Sequence, residues 1–154
     1  MSARFQLVID CADPDRLARF WAAALSYQPE PPPAGFDSWD DYWRAAGLPE
    51  EDLGIGIDRI ADPDGYGPPI WFQRVPDAKT VKNRLHLDVH ASGVDLFASG
   101  AREALAEVRR QRVDAAAERL VSLGASVIGA LSDEATGHYA MAMRDPEGNE
   151  FDIN

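Results

Sequence analysis

Short apolar runs and apolar stripes at helical spacing alternate along the chain, and they recur in the same order in its two halves. In the first half, residues 5–10 predict a strand because the run is rich in strand-favouring side chains. Asp13 and Pro14 then predict the start of a helix, as an N-cap and a first helical residue. The helix that follows has an apolar stripe formed by Leu17, Phe20, Trp21, Ala24 and Leu25.

The first half continues through a proline-rich break, a short aromatic segment and two more predicted strands. The break covers residues 29–33, and the strands cover residues 53–60 and 70–75. The turn between these strands, residues 62–65, has the sequence Asp-Pro-Asp-Gly, which is typical of a tight turn.

The second half repeats strand, helix and strands, with an acidic turn of the same kind at residues 145–148. Its predicted elements are a strand at 85–91, a helix at 113–123 and strands at 126–130, 139–144 and 150–153. The repeat has an offset of about 80 residues, which places Gln6 opposite His86 and predicts a pseudo-twofold domain. We expect a single α+β domain over residues 1–154, made of module one (1–78), a crossover (79–84) and module two (85–154). Module two has an insertion at 92–111, in which a helical face is formed by Ala101, Ala104, Leu105 and Val108.

Composition narrows the classes of function. The chain has 154 residues and a formal net charge of −11, which disfavours binding to the phosphate backbone of nucleic acids. Cys11 is the only cysteine, so an intramolecular disulfide and a multi-cysteine zinc site are excluded. The longest apolar run, residues 20–25, is far shorter than the roughly 20 residues of a membrane span. With no signal-peptide pattern at the amino terminus, these features predict a soluble, cytoplasmic protein without a membrane partner.

Polar side chains that suit ligand or metal binding share one face of the predicted strands. Strand alternation places His86, Asp88 and His90 on one face, opposite apolar neighbours. The corresponding faces of the other strands carry Gln6 and Asp10, Trp71 and Gln73, and Asp152. Such a face can simply meet solvent. The concentration of acid–base groups on one strand, together with a tryptophan that is costly to expose, favours a cleft.

The chain resembles the vicinal-oxygen-chelate superfamily, which includes glyoxalase I, bleomycin-resistance proteins and extradiol dioxygenases. Within it, the sequence is most similar to glyoxalase-like domains of unsettled activity. The matching stretches are residues 8–21, 72–76, 79–88, 123–125 and 145–151. The resemblance implies two βαβββ modules that form a cup-shaped, eight-stranded mixed sheet around a ligand cleft, often in a homodimer.

The resemblance also implies a metal site that this chain fits only in part. Metal-dependent members bind a divalent ion such as Mn, Fe, Ni or Zn through four strands, and three of these positions fall on Gln6, His86 and Asp152. The fourth falls on Trp71, which cannot ligate, although Gln73 on the same face could reach. Asp88 and His90 are alternative ligands. A bound ion would polarise a substrate carbonyl or hydroxyl and stabilise an enediolate, while Asp88 or Asp152 moved the proton.

Two functions follow from the resemblance. One is a glyoxalase-like enzyme, a lyase, isomerase or dioxygenase, acting on a small oxygenated metabolite. The other is a non-catalytic protein of the bleomycin-resistance kind that binds an antibiotic or metabolite without any metal. In that case an acidic, tryptophan-lined cleft would suit a planar or cationic ligand. The expected ligand-binding residues are Asp10, Trp39, Trp43, Trp71, Gln73 and His90, of which Trp39 and Trp43 could cover either the cleft or the core.

The remaining polar features have structural interpretations. Lys79 and Asn83 are expected to fix the crossover through nearby carboxylates. The run of Arg109, Arg110 and Arg112 predicts a solvated helix face. Trp21 and Cys11 are expected in the core.

Overall fold

The computed structural model describes residues 3–93, 102–133 and 136–154. The chain divides into two compact units, Met1–Ala78 and Lys79–Asn154. Each unit contains one four-stranded mixed sheet.

The first unit has four strands and two α-helices. In chain order these are β1 (Leu7–Cys11), α1 (Pro14–Leu25), β2 (Gln28–Pro29), α2 (Trp39–Ala45), β3 (Arg59–Ala61) and β4 (Ile70–Arg74), with a 3-10 turn at Glu50–Asp52. The strand order is β1-β4-β3-β2, with β1 parallel to β4 and the other pairs antiparallel. The unit is therefore βαβββ with α2 inserted between its second and third strands.

Helix α1 forms as its sequence predicts and covers one face of the sheet. The Asp13 carboxylate accepts the Arg16 N–H at 3.1 Å, and Pro14 occupies the first turn. Leu17, Phe20 and Trp21 are buried on the side of α1 that packs against β4. Trp21 and Cys11 are each 2% exposed, which confirms that both belong to the core. The opposite face of the sheet is left to its polar and aromatic side chains.

The second unit has the same strand order. Its elements are β5 (Asp88–Val89), α3 (Arg102–Ser122), β6 (Ser126–Asp133), β7 (His138–Arg144) and β8 (Glu150–Ile153). The sheet order is β5-β8-β7-β6. As in the first unit, the first and last strands along the chain, here β5 and β8, are parallel neighbours. The predicted α+β class and the two βαβββ modules are confirmed. The cup shape implied by the resemblance stays a prediction.

Helix α3 differs from its predicted form. It continues without a break from the predicted insertion at 92–111 into the predicted helix at 113–123. Residues 102–122 contain neither proline nor glycine and are rich in Ala, Glu and Arg, so nothing interrupts the helix. Its buried side is formed by Val113, Ala117 and Leu120, which pack against β7. Ala101 and the side chain of Ala104, assigned above to the insertion's helical face, lie outside the described residues.

The expectation of a solvated arginine face is wrong for Arg109. This side chain is only 7% exposed, and its Nε donates to the Tyr139 carbonyl at 3.2 Å. Arg110 lies over the Tyr139 ring, 4.5 Å from its centre. Arg112 donates to the Ser92 carbonyl at 2.7 Å. The run therefore joins α3 to its neighbours instead of facing only water.

Two predicted strands are shorter in the structure. Of residues 53–60 only the end belongs to β3, because Gly54 and Gly56 adopt positive φ values of 77° and 85°, which lie outside strand geometry. Of residues 85–91 only Asp88–Val89 pair as a strand.

Strand β6 is one of the two end strands of the second sheet. Val127, Ile128 and Leu131 are 48%, 46% and 46% exposed, and Asp133 is the strand's one charged residue. Among the described residues, no helix is long and apolar enough to cross a membrane.

Candidate functional site

Three acid–base side chains of the second unit lie together at its parallel strand pair. His86, Asp88 and Asp152 each offer a ligand atom, and these atoms lie within 4.8 Å of one another. The His86 Nδ1 is 3.1 Å from the Asp88 Oδ1 and 3.9 Å from the Asp152 Oδ2. The structure thus brings together two predicted site residues, His86 and Asp152, with the predicted alternative ligand Asp88.

The sheet register explains why these groups meet. Asp88 on β5 is paired with Asp152 on β8, so both side chains project from the same face. His86 lies two residues before Asp88, just outside β5, and its ring nitrogen contacts the Asp88 carboxylate. The flanking residues Phe151 and Ile153 are buried in the core, which fixes Asp152 on the opposite side. The Asp152 side chain is 25% exposed, whereas those of His86 and Asp88 are 43% and 50% exposed.

This donor set fits a divalent metal ion. Imidazole nitrogen and carboxylate oxygen are the ligands that Mn, Fe, Ni and Zn accept in proteins. A His86 tautomer that donates its Nδ1–H to Asp88 leaves Nε2 with a free lone pair, the arrangement found where a carboxylate orients a metal-binding histidine.

The carboxylate of Glu150 fixes the crossover beside this cluster. It accepts the backbone N–H of Asn83 and lies 3.0 Å from the Lys79 Nζ. The Asn83 hydrogen bond and then the Lys79 ammonium lower the pKa of Glu150 to about 2. The predicted role of Lys79 and Asn83 in fixing the crossover is confirmed, with the backbone of Asn83 as the donor.

The first unit contains an aromatic cavity of about 370 Å³. Trp39 and Trp43 reach it from α2, one helical turn apart, and Trp71 reaches it from β4. Gln6 also lines it. The remaining lining residues are Asp40, Leu48, Asp52, Ile55, Gly56, Asp58 and Arg59.

Arg59 occupies the centre of this aromatic group. Its guanidinium carbon is 4.4 Å from the centre of the Trp39 ring, 5.1 Å from that of Trp43 and 5.3 Å from that of Trp71. The Asp58 carboxylate pairs with Arg59 at 3.3 Å and accepts the Trp71 Nε1–H at 3.2 Å. The side chains of Arg59 and Asp58 are 15% and 13% exposed. The cation is therefore held by aromatic faces and by one carboxylate.

Polar contacts hold α2 over the cavity. Ser38 caps the helix by accepting the Asp41 N–H at 3.1 Å. The Trp39 Nε1 donates to the Glu30 carbonyl at 2.8 Å, and Arg44 bonds Glu50 at 2.7 Å. Trp39 and Trp43 line the cavity, and neither is buried in the core.

The other predicted ligand-binding residues lie elsewhere on their sheets. Asp10 and Gln73 are opposite one another on β1 and β4, both exposed, and neither lines the aromatic cavity. His90 bonds the Asn154 side chain through its Nδ1. Gln6 belongs to the first unit and His86 and Asp152 to the second, so their convergence stays a prediction.

Sequence reasoning missed Arg59, Asp40 and Asp52. The available signal was the adjacent pair of Asp58 and Arg59 at the start of β3, the strand that pairs with the Trp71 strand β4. Since Trp39 and Trp43 belong to an inserted helix, strand alternation gave no information about what they contact.

Comparisons with known proteins agree with the fold. The family model of the glyoxalase-like domain matches residues 6–154. No curated protein matches the chain. The structure is similar to a glyoxalase/bleomycin resistance protein/dioxygenase family enzyme from Burkholderia phytofirmans PsJN, with 16% identity, a TM-score of 0.53, and coverage of 97% of this chain and 94% of that one.

Two further solved structures are similar. A possible glyoxalase from Bacillus cereus has 14% identity and a TM-score of 0.55, and the match covers 99% of this chain and 98% of that one. A mutant of the fosfomycin resistance protein FosX from Listeria monocytogenes was solved with Mn(II) and 1S,2S-dihydroxypropylphosphonic acid. It has 11% identity and a TM-score of 0.59, and the match covers 100% of this chain and 90% of that one.

At these identities the solved structures establish the fold, and the family match covers nearly the whole chain. The resemblance predicted from the sequence is confirmed. The chain belongs to the glyoxalase-like domain family, and its fold is similar to that of a solved glyoxalase/bleomycin resistance protein/dioxygenase family enzyme.

Proposed function

We propose that this protein is a glyoxalase-like enzyme that acts on a small oxygenated metabolite with a divalent metal ion held by His86 and Asp152. The observation that carries the proposal is the clustering of the ligand atoms of His86, Asp88 and Asp152 within 4.8 Å. Family membership and the Mn(II) present in the FosX structure support it. Gln6 would complete the site if it converges with them, as the resemblance implies.

The residues have different parts in this proposal. His86 would bind the ion through Nε2, and Asp152, the less exposed carboxylate, would bind it through an oxygen. Asp88 would hold the His86 ring through Nδ1, and its second oxygen would accept or return a substrate proton. The ion, when bound, would polarise a carbonyl or hydroxyl oxygen of the substrate.

Metal binding is the direct test. The chelator-treated protein would be titrated with MnCl₂ by calorimetry, and elemental analysis would measure the metal in untreated protein. We expect about one equivalent in the wild type, and a loss of affinity of at least about tenfold in His86→Ala and Asp152→Asn. His138→Ala is the matched control, because His138 is an exposed histidine on β7 outside the cluster.

Asp88→Asn separates the two roles of the carboxylates. The amide still has an oxygen to accept the His86 Nδ1–H, so we expect the variant to retain most of its metal. The variant would lose proton transfer to and from the substrate, which can be measured once a substrate is known. Protein that contains no metal and binds no added divalent ion would contradict the proposal.

A second function is favoured by the aromatic cavity. Its volume of about 370 Å³ lies within the range of small-molecule sites, roughly 300–1,000 Å³, and tryptophan rings form much of its wall. A binder of the bleomycin-resistance kind would need this cavity and no metal. The homodimer and the cytoplasmic location also stay proposals, and light scattering at several concentrations would test the first.

A further inference from the structure

The wall of the aromatic cavity has more negative than positive charge. Three carboxylates, Asp40, Asp52 and Asp58, line it together with one guanidinium, that of Arg59. Asp58 pairs with Arg59, so these two charges compensate one another. The Asp40 carboxylate accepts the backbone N–H of Gly54 at 3.2 Å, and among the described residues neither Asp40 nor Asp52 has an ion-pair partner within 4.0 Å.

The aromatic part of the wall already holds a flat cation. Trp39 and Trp43 are stacked, with ring centres 5.9 Å apart and planes 27° apart. The Arg59 guanidinium lies within cation–π distance of these two rings and of Trp71. The ring faces attract positive charge because the π face of an aromatic ring carries partial negative charge.

Apolar surface next to these rings can accept the body of a ligand. Leu48 and Ile55 line the same cavity, and Leu48 is 37% exposed. A flat aromatic ring could therefore lie among tryptophan and aliphatic side chains while a charged group meets Asp40 or Asp52. An anionic group of the same size would be repelled by these two carboxylates, while Arg59 is already paired with Asp58.

We propose that this cavity binds a flat aromatic cation, with its ring against the tryptophan, Leu48 and Ile55 side chains of the wall and its positive charge next to Asp40 and Asp52. The proposal rests on the second function above, a binder that uses this cavity, and it needs no metal. All the residues that carry it belong to the first unit. Asp58 and Arg59 form a fixed, neutral part of the wall.

Three probes of nearly equal size test the charge preference of the full chain. These are 1-methylquinolinium as the cation, quinoline as the neutral ring at pH 7.5 and 1-naphthoate as the anion, each titrated by calorimetry and by quenching of tryptophan emission. We expect 1-methylquinolinium to bind about two- to thirtyfold more tightly than quinoline, with 1-naphthoate the weakest of the three.

Two variants in the cavity and one control variant outside it locate the binding. Asp52→Asn should weaken 1-methylquinolinium about two- to fivefold and leave quinoline unchanged. Asp64→Asn removes the same charge from an exposed turn outside the cavity and should change neither affinity. Trp43→Leu should weaken both rings about two- to tenfold, with circular dichroism confirming the fold.

Several outcomes would overturn the proposal. These are no binding of 1-methylquinolinium at millimolar concentration, equal or tighter binding of 1-naphthoate, or equal effects of Asp52→Asn and Asp64→Asn. Each titration is repeated after chelator treatment. Unchanged binding of 1-methylquinolinium by protein that takes up no metal would remove the proposed metal enzyme and leave this site in place.

Discussion

Asp62 and Asp145 have the same structural role at corresponding places in the two units. Each carboxylate closes the turn that precedes the last strand of its unit. Asp62 accepts the backbone N–H groups of Asp64, Tyr66 and Gly67 at 3.0, 2.9 and 2.7 Å. Asp145 accepts the backbone N–H groups of Glu147 and Asn149 and the Asn149 side-chain amide, each at 2.9 Å. The repeat in the sequence is thus also a repeat of hydrogen bonding.

Replacing Asp145 should destabilise the second unit more than replacing Asp62 destabilises the first. Asp145 is 3% exposed, so Asp145→Ala leaves donors without an acceptor inside the protein. We expect a loss of about 1.5–3 kcal/mol in the free energy of unfolding, measured by urea titration. Asp62→Ala, at a more exposed turn, should lose less. A larger effect at Asp62 would contradict this account.

Asp62 should contribute to the pH dependence of stability. Its three backbone hydrogen bonds, the one from Gly67 foremost, lower the pKa of its carboxyl below the ordinary 3.8. A folded-state pKa below the unfolded one stabilises the protein above the ordinary value, and this stability is lost as pH falls through the lowered value. The difference in free energy of unfolding between the wild type and Asp62→Asn should therefore shrink from pH 6 to pH 3. Asp64→Asn serves as the control, and an unchanged difference for Asp62→Asn would refute the prediction.

Gly56 and Gly54 allow a matched test of the contact between residues 53–58 and α1. Both have positive φ, but only at Gly56 would a Cβ meet another atom, the Asp15 Oδ1 at 2.6 Å. That carboxylate accepts the Ile57 N–H at 2.8 Å and also bonds Arg19. Gly54→Ala should cost about 1–2 kcal/mol for the left-handed backbone alone.

Gly56→Ala should cost about 1 kcal/mol more, because Asp15 must move from the Ile57 N–H. Thermal unfolding of the two variants measures the difference. Equal melting temperatures would show that Asp15 moves aside without a loss of stability.

Arg59→Lys should destabilise the first unit although it preserves the charge. A lysine ammonium lacks the planar face that stacks on Trp39 and Trp43. We expect a loss of about 1 kcal/mol and a change in tryptophan emission. Arg74→Lys, at an exposed position on β4, should do neither, so the same loss at both sites would rule out the stacking explanation.

The order of elements could be predicted because local sequence signals agree with the tertiary structure. Asp13-Pro14 starts a helix in the structure as in the sequence, and the predicted strand 150–153 coincides with β8. The strand predicted at 53–60 was wrong over most of its length. Its alternating apolar residues suit a strand, but Gly54 and Gly56 adopt positive φ and the Gly56 backbone approaches Asp15, a contact that no local pattern reveals.

The cluster of His86, Asp88 and Asp152 was predictable in part, and the sequence indicated the tryptophans of the aromatic cavity but not Arg59. Strand alternation places Asp88 and Asp152 on polar faces, and the parallel register then makes them neighbours. Trp39 and Trp43 belong to a helix inserted between strands, so their contact with Arg59 depends on how that helix packs. Arg59 itself was overlooked because a single arginine in a strand is ordinarily a solvent-facing residue.

The edge strand β6, which has a single charged residue at its end, has a practical consequence for handling this protein. The strand exposes Val127, Ile128 and Leu131, and among the described residues no further strand pairs with its outer backbone edge. Such an edge is a surface through which protein molecules can associate. The net charge of −11 opposes such adhesion by mutual repulsion. Acidification or concentrated salt weakens that repulsion, so turbidity should develop first under those conditions, and a lysine in place of Ile128 should delay it.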